Sequence, residues 1–357
     1  MRIALPPGKA ARRQYQEKPK ETKMKANRRF AIKAGLALAA AAFGMTGAPS
    51  HAKEEAASAY PSKQVTFLVP YAAGGPTDLI ARQLAFGLSK LWGQPVVVEN
   101  RTGASGIVAL TALARAPSDG YTLGIMVSPV TAIAPLTQPN FRYDVTQDFT
   151  AVSDLVDYAL VLLAGPQTKA ANLKELVEFA KQNPTAVTYG SSGLGGTNHL
   201  AGELFSRSAN APMLHVPYKG NAPALNDVMA GQVSFVFAQT DAAIGLAKSD
   251  KVRALGITSK ERNAMLPTVP TMEESGFKGV DVGGWTGVMG PAKLPPAVLK
   301  RLEAGIAEVK KTPEFKEKME SLGFVITGTS STDFTRRVRA ERDFWKAKIT
   351  EANIQLQ

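Results

Sequence analysis

The chain contains no cysteine. That absence excludes a disulfide framework and any thiolate metal site. Histidine is scarce. His51, His199 and His215 lie far apart without metal-ligand spacing, so no metal centre is predicted. Long apolar runs are missing too. AGLALAAAAFGM, residues 34–45, falls short of the roughly 20 residues a membrane-spanning helix needs, and no later window is long and apolar enough. A nucleic-acid-binding face is likewise excluded, although the formal charge is +12. Residues 1–33 carry eleven Lys or Arg against two Glu, a net +9, and residues 34–52 carry no charge. The remaining chain holds only +3, close to neutral for its length.

What is present begins with a leader. Arg28 and Arg29 precede the apolar run, and TGAPSHA then places Ser50 and Ala52 at the small-residue positions of a cleavage site. Residues 1–52 therefore read as an export signal cleaved near Ala52, which predicts an exported protein. Either Met1 or Met24 can be the start. RRFAIK is similar to a twin-arginine signal with its Phe one place early, and Sec export fits as well.

From residue 64 strands and helices alternate. VTFLV, PVVVEN, YTLGIMV, YALVLLAG, VTYGSSG, MLHVPY, VSFVFA and VRALGITS read as strands. Between them lie helical patterns, among them residues 77–92 and NLKELVEFAKQNP, which stops at Asn183-Pro184. The stretch 129–139 is Pro-rich. GVDVGGWTGVMGP is extended and Gly-rich, and three amphipathic helices follow it. This α/β alternation predicts parallel sheets covered by helices. One sheet would need about ten strands, so two smaller sheets are expected over this length.

The strand-to-helix junctions carry the chemistry. VPYAAGGPTD lacks the spacing of a Walker loop or a dinucleotide fingerprint. Gly74 and Gly75 permit positive φ and close approach, Pro76 suits a first helical turn, and Thr77 or Asp78 can cap. The free N–H groups of that turn form an anion site; a tight turn without ligand is the alternative. TYGSSGLGGTNHLAG repeats the logic with Ser191, Ser192, Gly193, Gly195 and Gly196 before a helix at Thr197. It misses a hydrolase elbow at Leu194, and the triad order fails after Ser192. His199 either reaches the cleft or caps the helix. HVPYKGNAPAL offers Lys219, Gly220 and Asn221; Lys219 either meets a ligand carboxylate or is solvated. FAQTDAA offers Gln239, Thr240 and Asp241 to a hydroxyl, amine or water. In open α/β sheets such loops share one ligand-binding edge.

Taken together, eight stretches resemble the periplasmic Bug receptors, the solute-binding component of tripartite tricarboxylate transporters. They are VPYAAGGPTDLIAR, VVVENRTGASGIVA, PSDGYTLGI, TYGSSGLGGTNHLAGELF, HVPYKGNAPALNDVMAGQVSFVF, VRALGITSKER, LPTVPTMEESGF and GWTGVMGPAKLP. The resemblance covers residues 60–354. It implies a two-domain Venus-flytrap fold of type II-like kind, each domain a mostly parallel sheet flanked by helices. Residues 53–160 with 282–357 would form domain 1, and 161–281 domain 2. It implies a receptor, not an enzyme, that captures a small carboxylate for membrane transporter subunits as a monomer, without cofactor, metal or nucleic acid. Tyr71, Ala72, Ala73, Gly74, Gly75, Thr77 and Asp78 would grip one carboxylate through backbone groups and waters. Ser191, Ser192, Gly193, Thr197, Asn198, His199, Lys219, Gly220 and Asn221 would complete the site, with Gln239 and Asp241 at the ligand's variable end. Many members have Phe at the position of Tyr71, an acid at that of Ala238, and Asn-Leu-Pro in place of Gln239-Thr240-Asp241. The alternatives are a receptor feeding a sensor kinase, or an exported hydrolase using Ser192 and His199.

Overall fold

The computed structural model describes residues 60–138, 141–247 and 249–351, so the leader expected over 1–52 lies outside it. Strand β1 (Val65–Val69) leads into helix α1 (Pro76–Trp92). β2 (Val96–Asn100) leads through a 3-10 turn (Ala104–Gly106) into α2 (Ile107–Ala114). β3 (Thr122–Val127) leads into a π-helical turn (Pro129–Ile133) and a short α3 (Ala134–Thr137). The long β4 (Phe149–Ala164) precedes α4 (Leu173–Gln182), β5 (Thr188–Ser191), α5 (Thr197–Ser208) and β6 (Leu214–Pro217). α6 (Asn221–Met229), β7 (Phe235–Gln239), α7 (Thr240–Leu246) and β8 (Arg253–Ile257) follow. β9 (Gly283–Pro291), α8 (Pro296–Lys311), α9 (Pro313–Ser321), β10 (Val325–Ile326) and α10 (Ser331–Glu351) close the chain.

The strands run β2-β1-β3-β9-β4-β7-β5-β6, with β8 and β10 also on β4. β1 pairs parallel with β2 and β3, and β5 pairs parallel with β6 and β7. The middle is antiparallel: β9 against β3 and β4, and β4 against β7, β8 and β10. The mostly parallel character expected of each sheet resides in the two outer groups, each built from strand–helix–strand crossovers. The two expected sheets are joined because β4 is long enough to serve both. Its pairing with β9 ends at Ala159 opposite Gly283, and its pairing with β7 begins at Leu160 opposite Gln239.

Only the second half of β4 is legible as a strand. Ser153, Asp154 and Asp157 interrupt its first half, and the pairing with β9 is irregular beside Ser153 and again after Asp154. Asp154 is buried, so its charge must be met locally. It accepts hydrogen bonds from the Thr329 amide (2.7 Å) and hydroxyl (3.0 Å) and pairs with Arg337 at 3.0 Å. β9 owes its central place to its glycines. A Cβ on Gly284 would sit 2.2 Å from the Tyr158 hydroxyl, and one on Gly287 would sit 2.4 Å from the Phe334 ring. Missing side chains thus let large neighbours cross the strand. Helix–helix contact uses the same device, since a Cβ on Gly87 of α1 would lie 2.5 Å from Val309 of α8.

Candidate ligand cleft

The loops after the parallel strands meet at one cleft of about 810 Å³. One wall carries Tyr71, Ala72, Ala73, Gly75, Pro76 and Thr77 from the β1–α1 junction, with Ser105, Pro129, Ala134, Thr137 and Gln138. The facing wall carries the 192–198 loop, Lys219 to Ala222, and Gln239. Leu160 of β4 and Phe237 of β7 add apolar surface. Four helices begin here: α1 after Gly75, α5 after Gly196, α6 after Gly220 and α7 after Gln239. None of these N-caps makes a side-chain cap bond. Outside the cleft, α4 and α9 are capped by Asn172 and Thr312, whereas α8 follows Pro295 without a side-chain cap. Uncapped N-termini leave N–H groups and a partial positive charge for a ligand to satisfy.

Of the eighteen predicted site residues, thirteen line the cleft. The other five, Gly74, Asp78, Ser191, His199 and Asp241, do not. Gly74 takes φ +82, and its N–H donates to Asp78 Oδ2 at 2.9 Å. Asp78 is buried; it also accepts from Arg82 Nε (2.8 Å) and Asn100 Nδ2 (2.9 Å). The same Asn100 amide holds the Tyr71 carbonyl at 2.9 Å. Burial alone would raise the Asp78 pKa, but the bonds from Arg82, Gly74 and Asn100 bring it below the ordinary carboxylate value. Asp78 thus ties the first glycine loop to the fold. Asp241 sits in the first turn of α7, where burial raises its pKa against the pull of nearby backbone N–H groups.

On the facing wall Asn198 joins two loops. Its Oδ1 accepts from Ser192 Oγ at 3.0 Å, and its Nδ2 donates to Asn221 Oδ1 at 2.9 Å. Ser192 therefore points to Asn198, while His199 Nδ1 accepts the Gly195 N–H at 3.1 Å. That geometry is not a nucleophile–base pair. Ser191 Oγ does lie 2.6 Å from His215 Nε2, but Ser191 is 0% exposed and its hydroxyl also bonds Gly193 O. A substrate carbonyl has no path to it.

Beneath the cleft, a cavity of about 30 Å³ is lined by Tyr71, Thr77, Tyr158, Gln239 and Thr286 among others, room for one water. Burial pushes the Tyr71 phenol up to about 12, so it stays protonated. A second large cavity, about 950 Å³, is lined by the 258–265 loop, residues 281–284 and α10. None of the predicted site residues lines it, and no helix starts at its wall.

Sequence reasoning missed Ser105, Pro129, Ala134, Thr137, Gln138, Leu160, Leu194 and Phe237. The edge rule that located four junctions applies equally after β2 and β3 and would have found the first five. Leu160 and Phe237 read as strand core, and nothing local marks them. The lining holds one charged residue, Lys219, and no acid. Among the described residues Lys219 makes no ion pair, and no group of three or more His, Asp or Glu can hold a metal.

This fold is that of the periplasmic binding proteins. The chain is 33% identical over 303 residues to BugT of Bordetella pertussis, covering 84% of this chain and 93% of that one. It is similar to the structure of R. palustris Rpa4515 with adipate at 32% identity and TM-score 0.77, covering 83% and 99% of the two chains. It is also similar to MatC of Rhodopseudomonas palustris with bound malate at 29% identity and TM-score 0.73, covering 81% and 100%. The tripartite tricarboxylate transporter family receptor family, TctC, matches residues 80–354, and the chain belongs to it. Its members are periplasmic solute-binding receptors. No helix among the described residues is long and apolar enough to cross a membrane.

Proposed function

We propose that this receptor takes a small carboxylate into the cleft, closes on it, and delivers it to membrane transporter subunits. The observation that carries this reading is the convergence of the uncapped N-termini of α1, α5 and α6 on a cleft that holds one cation and no acid; at α7 the Asp241 carboxylate already takes first-turn N–H groups. Neighbours described with adipate and with malate support the same ligand class. In this reading one carboxylate meets the first-turn N–H groups of α1 at Thr77 and Asp78, and the facing loops close over the rest of the molecule. Lobes 53–160 with 282–357, and 161–281, hinge where β4 changes partners at Ala159 and Leu160. The receptor acts as a monomer after cleavage of its leader near Ala52, and it carries out no chemistry on its ligand.

Lys219 gives the test. It is exposed on the cleft wall at the start of α6 and can meet a second carboxylate. Lys219→Met should weaken binding of a dicarboxylate such as adipate or malate by about tenfold, the worth of one charge-assisted hydrogen bond. Binding of a monocarboxylate of the same length should change little. Isothermal titration of both against the two proteins measures this. Equal losses for both acids would remove Lys219 from the ligand's second end.

A further inference from the structure

His199 and His215 lie behind the 191–196 loop and outside the cleft lining. Their rings stack with centroids 4.1 Å apart and planes 28° apart. The stack continues through Tyr189 (5.0 Å from His215) to Phe235 (5.6 Å from Tyr189). Each imidazole holds one point of the loop. His199 Nδ1 accepts the Gly195 N–H, so its Nε2 carries the proton, 4.0 Å from Glu203 Oε1. His215 Nε2 bonds Ser191 Oγ, which in turn accepts the Gly193 N–H at 3.1 Å. Glu203 is itself held by the Tyr189 hydroxyl at 2.5 Å. The titratable groups facing the pair are thus Glu203 from α5 and Tyr189 from β5, each histidine facing the other as well.

We propose that His199 and His215 are positioning residues: a neutral, stacked imidazole pair that fixes the Gly193 and Gly195 amides at the cleft, and that lets the loop go when protonated. The proposal rests on the reading that this loop contacts the ligand. Protonation of His199 would place an N–H at Nδ1, facing the donor it now accepts from. It would also set like charges in contact across the stack. Burial lowers both pKa values to about 4, with the neighbouring His199 adding to the effect on His215, so the pair is neutral at pH 7. The sign follows: the loop is held at neutral pH and released as the pH falls through about 4.

The test compares His199→Leu, which removes the acceptor, with His199→Asn, whose Oδ1 stands near the Nδ1 position, and adds His215→Gln for the acid limb. In ligand-free protein, amide hydrogen exchange at Gly195 should speed up by about tenfold in the Leu variant and recover in the Asn variant, matching one hydrogen bond. The Gly193 and Gly195 amide resonances should titrate with the midpoint of the imidazole nitrogens, and this titration should vanish in His199→Asn/His215→Gln. Affinity for adipate or malate, whichever the wild type binds, should follow the same order. Unchanged Gly195 exchange in the Leu variant, or loop resonances that titrate alike without the imidazoles, overturns the proposal. If wild type binds neither acid, the ligand reading fails, while the ligand-free arms still decide the role of the pair.

Discussion

Replacing Gly195 with valine is expected to weaken ligand binding by about 100-fold, or ~2.7 kcal/mol, while the protein remains folded. Two costs meet at this residue. Its φ is +73, where a β-branched residue is strained by roughly 1–2 kcal/mol. A Cβ there would also sit 3.0 Å from Thr137 Cγ2 and 3.2 Å from its Oγ1. Thr137 ends α3 on the wall opposite the 192–198 loop, so the collision falls where the two walls approach each other. In the proposed closure such a wedge acts on the closed state and leaves the open one free, so the loss is expected to register in affinity. A double-mutant cycle separates the two costs. Thr137→Gly removes the three atoms nearest that Cβ, so Gly195→Ala/Thr137→Gly should bind more tightly than Gly195→Ala alone. If Thr137→Gly gives no recovery, the loss comes from backbone strain only and the walls do not meet there.

Asp78→Ala is expected to lower stability by about 3 kcal/mol without ligand, from the loss of three hydrogen bonds to a buried carboxylate. The loop at Tyr71 to Gly75 loses its anchor in the same step, because Gly74, Arg82 and Asn100 all converge on this side chain. Asp78→Asn keeps an acceptor and should cost less. The pH dependence follows from the lowered folded pKa. The contribution is complete above the unfolded value of about 3.9 and is lost as the pH falls through the lower folded value. The gap between wild type and Asp78→Ala, measured by urea unfolding, should therefore be constant near neutrality and shrink only in strong acid. An Asp78→Ala protein as stable as wild type would contradict the anchoring role.

These two residues show what the sequence carries and what it conceals. The adjacent glycines, Pro76 and the helical period after them locate the β1–α1 junction, and the same grammar locates the junctions at Gly196, Gly220 and Gln239. Local chemistry is enough there, because turns and helix starts are short-range structures. It is not enough to say which polar side chain faces the ligand. Asp78 stands in the first turn of α1 beside residues that line the cleft, yet it turns inward to Arg82 and Asn100, partners 4 and 22 positions away. His199, on α5, likewise turns to His215, on β6. The first half of β4 escapes notice for the converse reason, and β9 is legible only as an extended, Gly-rich stretch. Asp154 is tolerated in a buried strand only because Thr329 and Arg337 arrive from the other end of the chain. The glycines of β9 make sense only once Tyr158 and Phe334 are seen crossing it.

The proposed function requires the uncapped helix N-termini to hold a negatively charged group. Thermal unfolding with a panel of small mono-, di- and tricarboxylates, each beside its neutral amide, asks this directly. The expected result is that at least one acid raises the melting temperature in a concentration-dependent way, as about 2.7 kcal/mol of stabilisation at 100 times Kd requires, while its amide does not. No shift with any acid, or equal shifts with acids and amides, would contradict the account.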